Sequence, residues 1–271
     1  KLNNEEHNNG ILTQISLFLK KFQYVKAEEK TAELIKKHPN NLTYKNLLAV
    51  IYASQKKYNT SIKILNEIIK KDSNFVEALI NLGNIYFDQD QLRTSETFFK
   101  KAIKINSNHS IALKNLARVY LKQNKYIETV AIYESLLKLD PKNLEILNAY
   151  STNQIYLGNL SNSKKLLNKI LQLNPSYVPA LINLGVVYKE EKNFDKAIKY
   201  FKLVLEIAPN NQKAYYNLGT VYEEKHKFHD AIIYFNKAIK QNPNYIEAYH
   251  NLGCALNKIG QIKDAILNLR K

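Results

Sequence analysis

The sequence predicts an all-α fold, a solenoid of antiparallel helix pairs, and three observations predict it. Apolar positions return every 34 residues along the 271-residue chain, small residues hold two fixed points of the period, and proline closes most periods. A fixed internal period overrides the one- or two-domain count that length alone would suggest, because each repeat packs only on its neighbours. One continuous domain over 1–271 is therefore expected.

With positions numbered 1 to 34, the registers begin at Asn8, Leu42, Val76, Ser110, Leu144, Val178, Gln212 and Ile246. Repeats 8–41, 42–75, 76–109, 110–143, 144–177, 178–211 and 212–245 are complete, and 246–271 is a truncated eighth. The first helix of each repeat carries apolar residues at positions 4, 7 and 11 and the second at 24 and 27, the spacing of one face of a 3.6-residue helix. Neither helix buries that face alone. Position 8 is Gly83, Gly185, Gly219 or Gly253, or the nearly as small Ala49, Ala117 and Ser151, and only Ile15 breaks the rule. Position 20 is always Ala, Ser or Thr, from Ala27 to Ala265. Small residues on facing helices let the two backbones approach.

Position 32 is Pro39, Pro141, Pro175, Pro209 or Pro243, with Ser73 and Ser107 as exceptions. Proline has no N–H and clashes with the preceding turn, so it separates the second helix from the next repeat. Pro179 stands at position 2, in the first turn of a helix, where its missing donor does no harm. Tyrosines recur at position 11 (Tyr52, Tyr86, Tyr120, Tyr188, Tyr222) and position 17, which marks them as core packing rather than a stacking platform for bases. Two repeats are irregular. The first has Gln14, Ile15 and Thr31 where the pattern wants Leu, a small residue and an aromatic, as a terminal cap would. The fifth has Tyr150, Ser151, Gln154 and Ser163 at core positions, and it is expected to open first in a stability that sums over neighbours.

Within the best-kept repeat, Tyr215, Leu218, Gly219 and Tyr222 are followed by Ala231, Phe235, Ala238 and Pro243. That order resembles the tetratricopeptide-repeat family, with Tyr in the Trp place. The resemblance implies a right-handed α-solenoid whose first helices line a concave groove, with positions 2, 5, 6, 9, 12 and 13 facing a ligand. It implies protein or peptide partners, no cofactor, and binding rather than catalysis.

Composition sets limits. A formal charge of +16 raises polyanions as partners. At five groove positions of repeats three to eight, however, six basic residues stand against seven acidic ones, so the groove is near neutral and no nucleic acid is expected there. The surplus falls in doublets such as Lys70-Lys71, Lys100-Lys101 and Lys164-Lys165, read as a solvated outer face. A single cysteine, Cys254, excludes an internal disulfide and fits the cytoplasm. No apolar run reaches the roughly 18 residues of a membrane span. The chain opens on Lys1, holds no methionine and stops within its eighth register, so a longer protein with a further domain downstream is expected. The uncapped last repeat also suggests self-association.

Catalytic chemistry finds no foothold. Six of the seven glycines have structural places, which leaves no phosphate-cradling loop, and no zinc spacing occurs. His226 and His229 lack a third ligand. Cys254 and His250 share a helix face without an orienting group or oxyanion donors.

The groove is more informative. Position 6 is Asn81, Asn115, Asn183, Asn217 and Asn251, with Asn46 and Asn148 one place earlier in the second and fifth repeats, where Leu47 and Ala149 replace it. An amide offers donors and an acceptor, so such a row can pair with the backbone of an extended peptide. The same amides could instead bond within the solenoid. Asn84, Lys114, Arg118, Tyr216, Glu223 and His250, at positions 5, 9 and 12, line the groove beside them. The row is similar to the asparagine ladder of the superhelix before the catalytic domain in O-linked N-acetylglucosamine transferases. That resemblance admits a second function, the substrate-recruiting arm of a glycosyltransferase or sulfotransferase. The Lys–Asn–Arg clamp of chaperone-tail binders is absent, since Ala149, Pro179 and Asn183 stand where it needs Asn, Lys and Arg.

Overall fold

The computed structural model describes residues 2–270, with side chains from residue 10 onward, so the side chain of Asn8, where the first register begins, lies outside them. Sixteen α-helices and no strand make up the described residues. In the first three repeats they are α1 (Leu2–Lys20) with α2 (Tyr24–Lys37), α3 (Leu42–Ser54) with α4 (Tyr58–Lys71), and α5 (Val76–Asp88) with α6 (Leu92–Ile105). The fourth pairs α7 (Ser110–Lys122) with α8 (Tyr126–Leu139), and the fifth pairs α9 (Leu144–Tyr156) with α10 (Leu160–Leu173). Then come α11 (Val178–Glu190) with α12 (Phe194–Ile207), α13 (Gln212–Glu224) with α14 (Phe228–Gln241), and α15 (Ile246–Lys258) with α16 (Ile262–Leu269). The helices form two compact units, Lys1–Leu139 and Asp140–Lys271, and each unit is a stack of helix pairs.

The turn inside each pair is set by position 15. Its backbone is left-handed in every repeat: Phe22, Lys56, Asp90, Asn124, Lys192 and His226 have φ between 57° and 61°, and Gly158 and Gly260 have 72° and 82°. This residue lets the next N–H turn back to the carbonyl of position 11, as in Lys57 to Tyr52 (2.9 Å) and Asn193 to Tyr188 (2.8 Å). The bond closes the first helix in a Schellman-type cap. Between repeats the device is different. Position 31 is Asp or Asn in most repeats and accepts from the N–H two residues on, as Asp72 does from Asn74 (2.9 Å) and Asn174 from Ser176 (3.1 Å). This Asx turn forms whether position 32 is Pro175 or Ser73, so serine replaces proline there without loss of the turn. The following helix is then capped in several repeats by position 34, where Asn41, Asn143 and Asn211 accept from Tyr44, Ile146 and Ala214.

The core lies along the contact of positions 8 and 24. A Cβ on Gly83, Gly185 or Gly219 would lie 2.5–2.6 Å from the ring of Phe99, Phe201 or Phe235. Glycine accompanies all three phenylalanines at position 24 and also Leu269, where a Cβ on Gly253 would lie 2.6 Å from Cγ, while Ala49, Ala117 and Ser151 accompany Leu65, Tyr133 and Leu167. The first repeat inverts the sizes. Ile15 and Thr31 are both buried and together keep the volume, which accounts for two departures from the pattern at once. Position 20 contributes more than small size, because Ser61 and Ser95 donate to the carbonyls of Ala49 and Gly83 (2.7 Å each) across the helix pair. In the fifth repeat that bond is missing: Ser163 Oγ is buried without a partner. Buried Asn153 and Gln154 lie on the facing helix.

Candidate binding face on the first helices

The first helices are positioned by that core so that positions 5, 6 and 9 of adjacent repeats meet. In the first unit, Asn81 Nδ2 donates to Asn46 Oδ1 (2.9 Å) and Asn115 Nδ2 to Asn84 Oδ1 (2.9 Å). Arg118 lies 4.7 Å from the centre of the Phe87 ring and makes a long contact to Asn115 Oδ1 (3.4 Å), while Lys114 is exposed. In the second unit, Asn183 Nδ2 donates both to Asn148 Oδ1 (2.9 Å) and to Thr152 Oγ1 (3.0 Å). Asn251 Nδ2 reaches Tyr216 OH (3.2 Å), and Asn217 turns back to the Lys213 carbonyl of its own helix (2.8 Å).

Four of the five ladder asparagines thus tie one repeat to the one before it. The pairing has a direction. Each bond uses an N–H of the later asparagine, and no bond to Asn183 Oδ1 or from Asn148 Nδ2 occurs among the described residues. Both residues are half-buried, and neither atom is among the fully sealed side-chain atoms that lack a bond. Two hollows adjoin this pair. One, of about 590 Å³, is walled by Ile155, Tyr156, Leu160, Val186 and Glu190; the other, of about 460 Å³, by Val178, Pro179, Ile182 and Lys213. Thr152 and Asn183 belong to both.

The far end of the second unit is more polar. Burial raises the Glu223 carboxyl above the usual carboxylate range, the neighbouring Glu224 adds to this, and His250 and Lys258 oppose it. Glu224 is paired with Lys189 (3.5 Å) and Lys192 (2.7 Å) of the preceding repeat. The Tyr216 ring packs on Phe235 and Tyr245, so Tyr216 is as much core as groove, and burial raises its pKa. His250 Nε2 lies 3.8 Å from Cys254 Sγ, and His226 and His229 are exposed in their turn. Among the described residues, no group of three or more His, Cys, Asp or Glu could hold a metal ion. No described helix is long and apolar enough to cross a membrane.

Family profiles described as tetratricopeptide repeat match residues 76–109, 98–131, 176–241 and 234–266, more than half of the chain together. The chain belongs to the tetratricopeptide-repeat family. No curated protein sequence matches it. Among solved structures it is similar to a tetratricopeptide repeat protein from Parabacteroides merdae, at 16% identity and TM-score 0.68, covering 92% of this chain and 98% of that one. It is similar to a chain of the APC/C hetero-tetramer Cut9–Hcn1, at 16% identity and TM-score 0.63, over 96% of this chain and 51% of the other. It therefore spans about half the length of that relative. A third likeness is to YrrB, a TPR protein with an unusual peptide-binding site, at 24% identity and TM-score 0.51, covering 69% and 96% of the two chains. At these identities the likeness is one of fold.

The sequence singled out position 6 and named Asn46, Asn84, Asn148 and Tyr216 beside it, but not which of them pair, and it did not name Thr152. The signal was present as spacing. A polar residue at position 5 precedes its asparagine by 35 residues, as in Asn46–Asn81 and Asn148–Asn183, and one at position 9 precedes it by 31, as in Asn84–Asn115.

Proposed function

We propose that this chain is a protein-interaction scaffold without catalysis of its own, holding an extended segment of a partner along its first-helix face. The observation that carries the reading is the Asn148–Asn183 pair. Its free amide N–H and free carbonyl oxygen match the C=O and N–H of a peptide backbone, and the two adjoining hollows can take apolar side chains on either side. Glu190 in one hollow and Lys213 in the other favour a segment basic at the first end and acidic at the second. A peptide-binding site in YrrB, a protein of the same fold, supports the reading.

The test is a selection from an unbiased displayed-peptide library, followed by affinities for Tyr156→Ser and Lys213→Glu, both exposed positions. Selected peptides should lose about tenfold or more in affinity to each variant while melting temperatures hold. Equal binding by both variants would remove this face as the site.

A further inference from the structure

Helices α4 and α6 are the second helices of neighbouring repeats in the first unit, and a cleft of about 780 Å³ opens beside them. Its apolar wall is Ile69, Leu79, Phe98 and Ile105, and Lys101 and Lys104 stand at its edge. The same two lysines enter an adjoining hollow of about 470 Å³ with Arg93, Lys100, Lys125 and Glu96. Five cations here meet one carboxylate. Glu96 is already held by Lys100 (2.6 Å) and Lys125 (2.9 Å), whereas Arg93, Lys101 and Lys104 have no carboxylate partner among the described residues. Ile105, at 42% exposure, leaves apolar surface open beside them.

A surface that is only solvated has no use for an apolar wall under its lysines, and an unpaired base would need a free ring to stack on. Phe98 is not free. It stacks on Tyr86 at 5.5 Å between centroids, and Lys101 Nζ lies 5.4 Å from its ring centre. We propose that this cleft docks an acidic peptide segment bearing one large apolar side chain, which enters the Ile69–Phe98–Ile105 cleft while flanking carboxylates meet Lys101, Lys104 and Arg93. Charge complementarity selects the partner, and the cleft fixes where along it the contact forms. The site lies on the second helices, so it is independent of the first-helix face.

The probe is a short fluorescein-labelled peptide of Asp and Glu around one central Phe, read by anisotropy at two salt concentrations. Lys101→Gln/Lys104→Gln should weaken binding about tenfold or more, and Phe→Ser in the peptide should do the same. Lys199→Gln/Lys202→Gln removes the same charge from exposed positions of α12 and should change affinity less than about twofold. Tyr156→Ser should leave this binding intact, which separates it from the first-helix face. The proposal is overturned if the α12 variant weakens binding as much as the α6 variant, if the Phe-free peptide binds equally well, or if oligo(dT) binds more tightly than the peptide. Circular dichroism melts of each variant exclude loss of fold as the cause.

Discussion

Gly83 and Phe99 are matched to each other: a Cβ at Gly83 would lie 2.6 Å from Cε1 of the Phe99 ring, which is itself almost fully buried. Gly83→Ala should therefore cost about 1–3 kcal/mol by overpacking, despite the better helix propensity of alanine. Adding Phe99→Leu recreates the Ala49/Leu65 combination of the second repeat and should recover part of that loss. A double-mutant cycle from urea denaturation checks it, and additive costs would show that the two positions do not share the space.

The left-handed residue at position 15 is glycine in only two repeats. Lys56→Gly, Lys192→Gly and His226→Gly should each stabilise the fold by up to about 1 kcal/mol, because a side chain in that conformation carries a steric penalty that glycine avoids. Gly158→Ala should lose a similar amount. Asp90→Gly and Asn124→Gly should gain least, since Asp and Asn tolerate this backbone region best. Thermal melts at neutral pH measure all of these.

Two serines at the same register position should respond oppositely. Ser95→Ala removes the bond to the Gly83 carbonyl and should cost about 1 kcal/mol, whereas Ser163→Ala removes a buried hydroxyl with no partner and should be neutral or stabilising. With its buried polar side chains, the fifth repeat should also exchange its amide hydrogens before residues 178–245, which native-state hydrogen exchange reads directly.

Burial pushes the Tyr133 phenol up to about 12 from its ordinary 10. A raised pKa means that the unfolded chain releases this proton first as pH rises. The stability tied to it is then fully present below about pH 10 and lost between about pH 10 and 12. The loss is on the order of 2–3 kcal/mol at most. Tyr133→Phe should flatten that alkaline limb, seen as a smaller fall in urea midpoint between pH 10 and 12.

Asn183 and Asn217 should separate in the same way. Asn183→Ala breaks two bonds to the preceding repeat and should cost about 1 kcal/mol or more, while Asn217→Ala loses only a bond to its own helix and should cost less. Equal costs would mean that the ties between repeats carry no stability.

Much of the architecture can be read from residues alone. The 34-residue spacing, small positions 8 and 20 and the prolines specify helix pairs because each records a local requirement: a buried stripe, a close backbone approach, a missing N–H. The candidate asparagines were also visible, since one residue type returns at one register position. What they bond to was not, because the direction of an amide depends on the neighbouring first helix 31 or 35 residues away. The same holds for position 15, where Phe22, Lys56 and His226 give no glycine signal and the turn is imposed by the helices it joins. It holds also for the lysines of α6. In sequence they are read as part of a solvated face, and only the packing of α4 and α5 on α6 places Ile69 and Leu79 beside them. Periodicity therefore settled which faces are buried and where helices end, because those are properties of one helix. Packing settled which polar groups are satisfied and which remain open to a partner, because a hydrogen bond or a cleft exists only once two repeats are in contact.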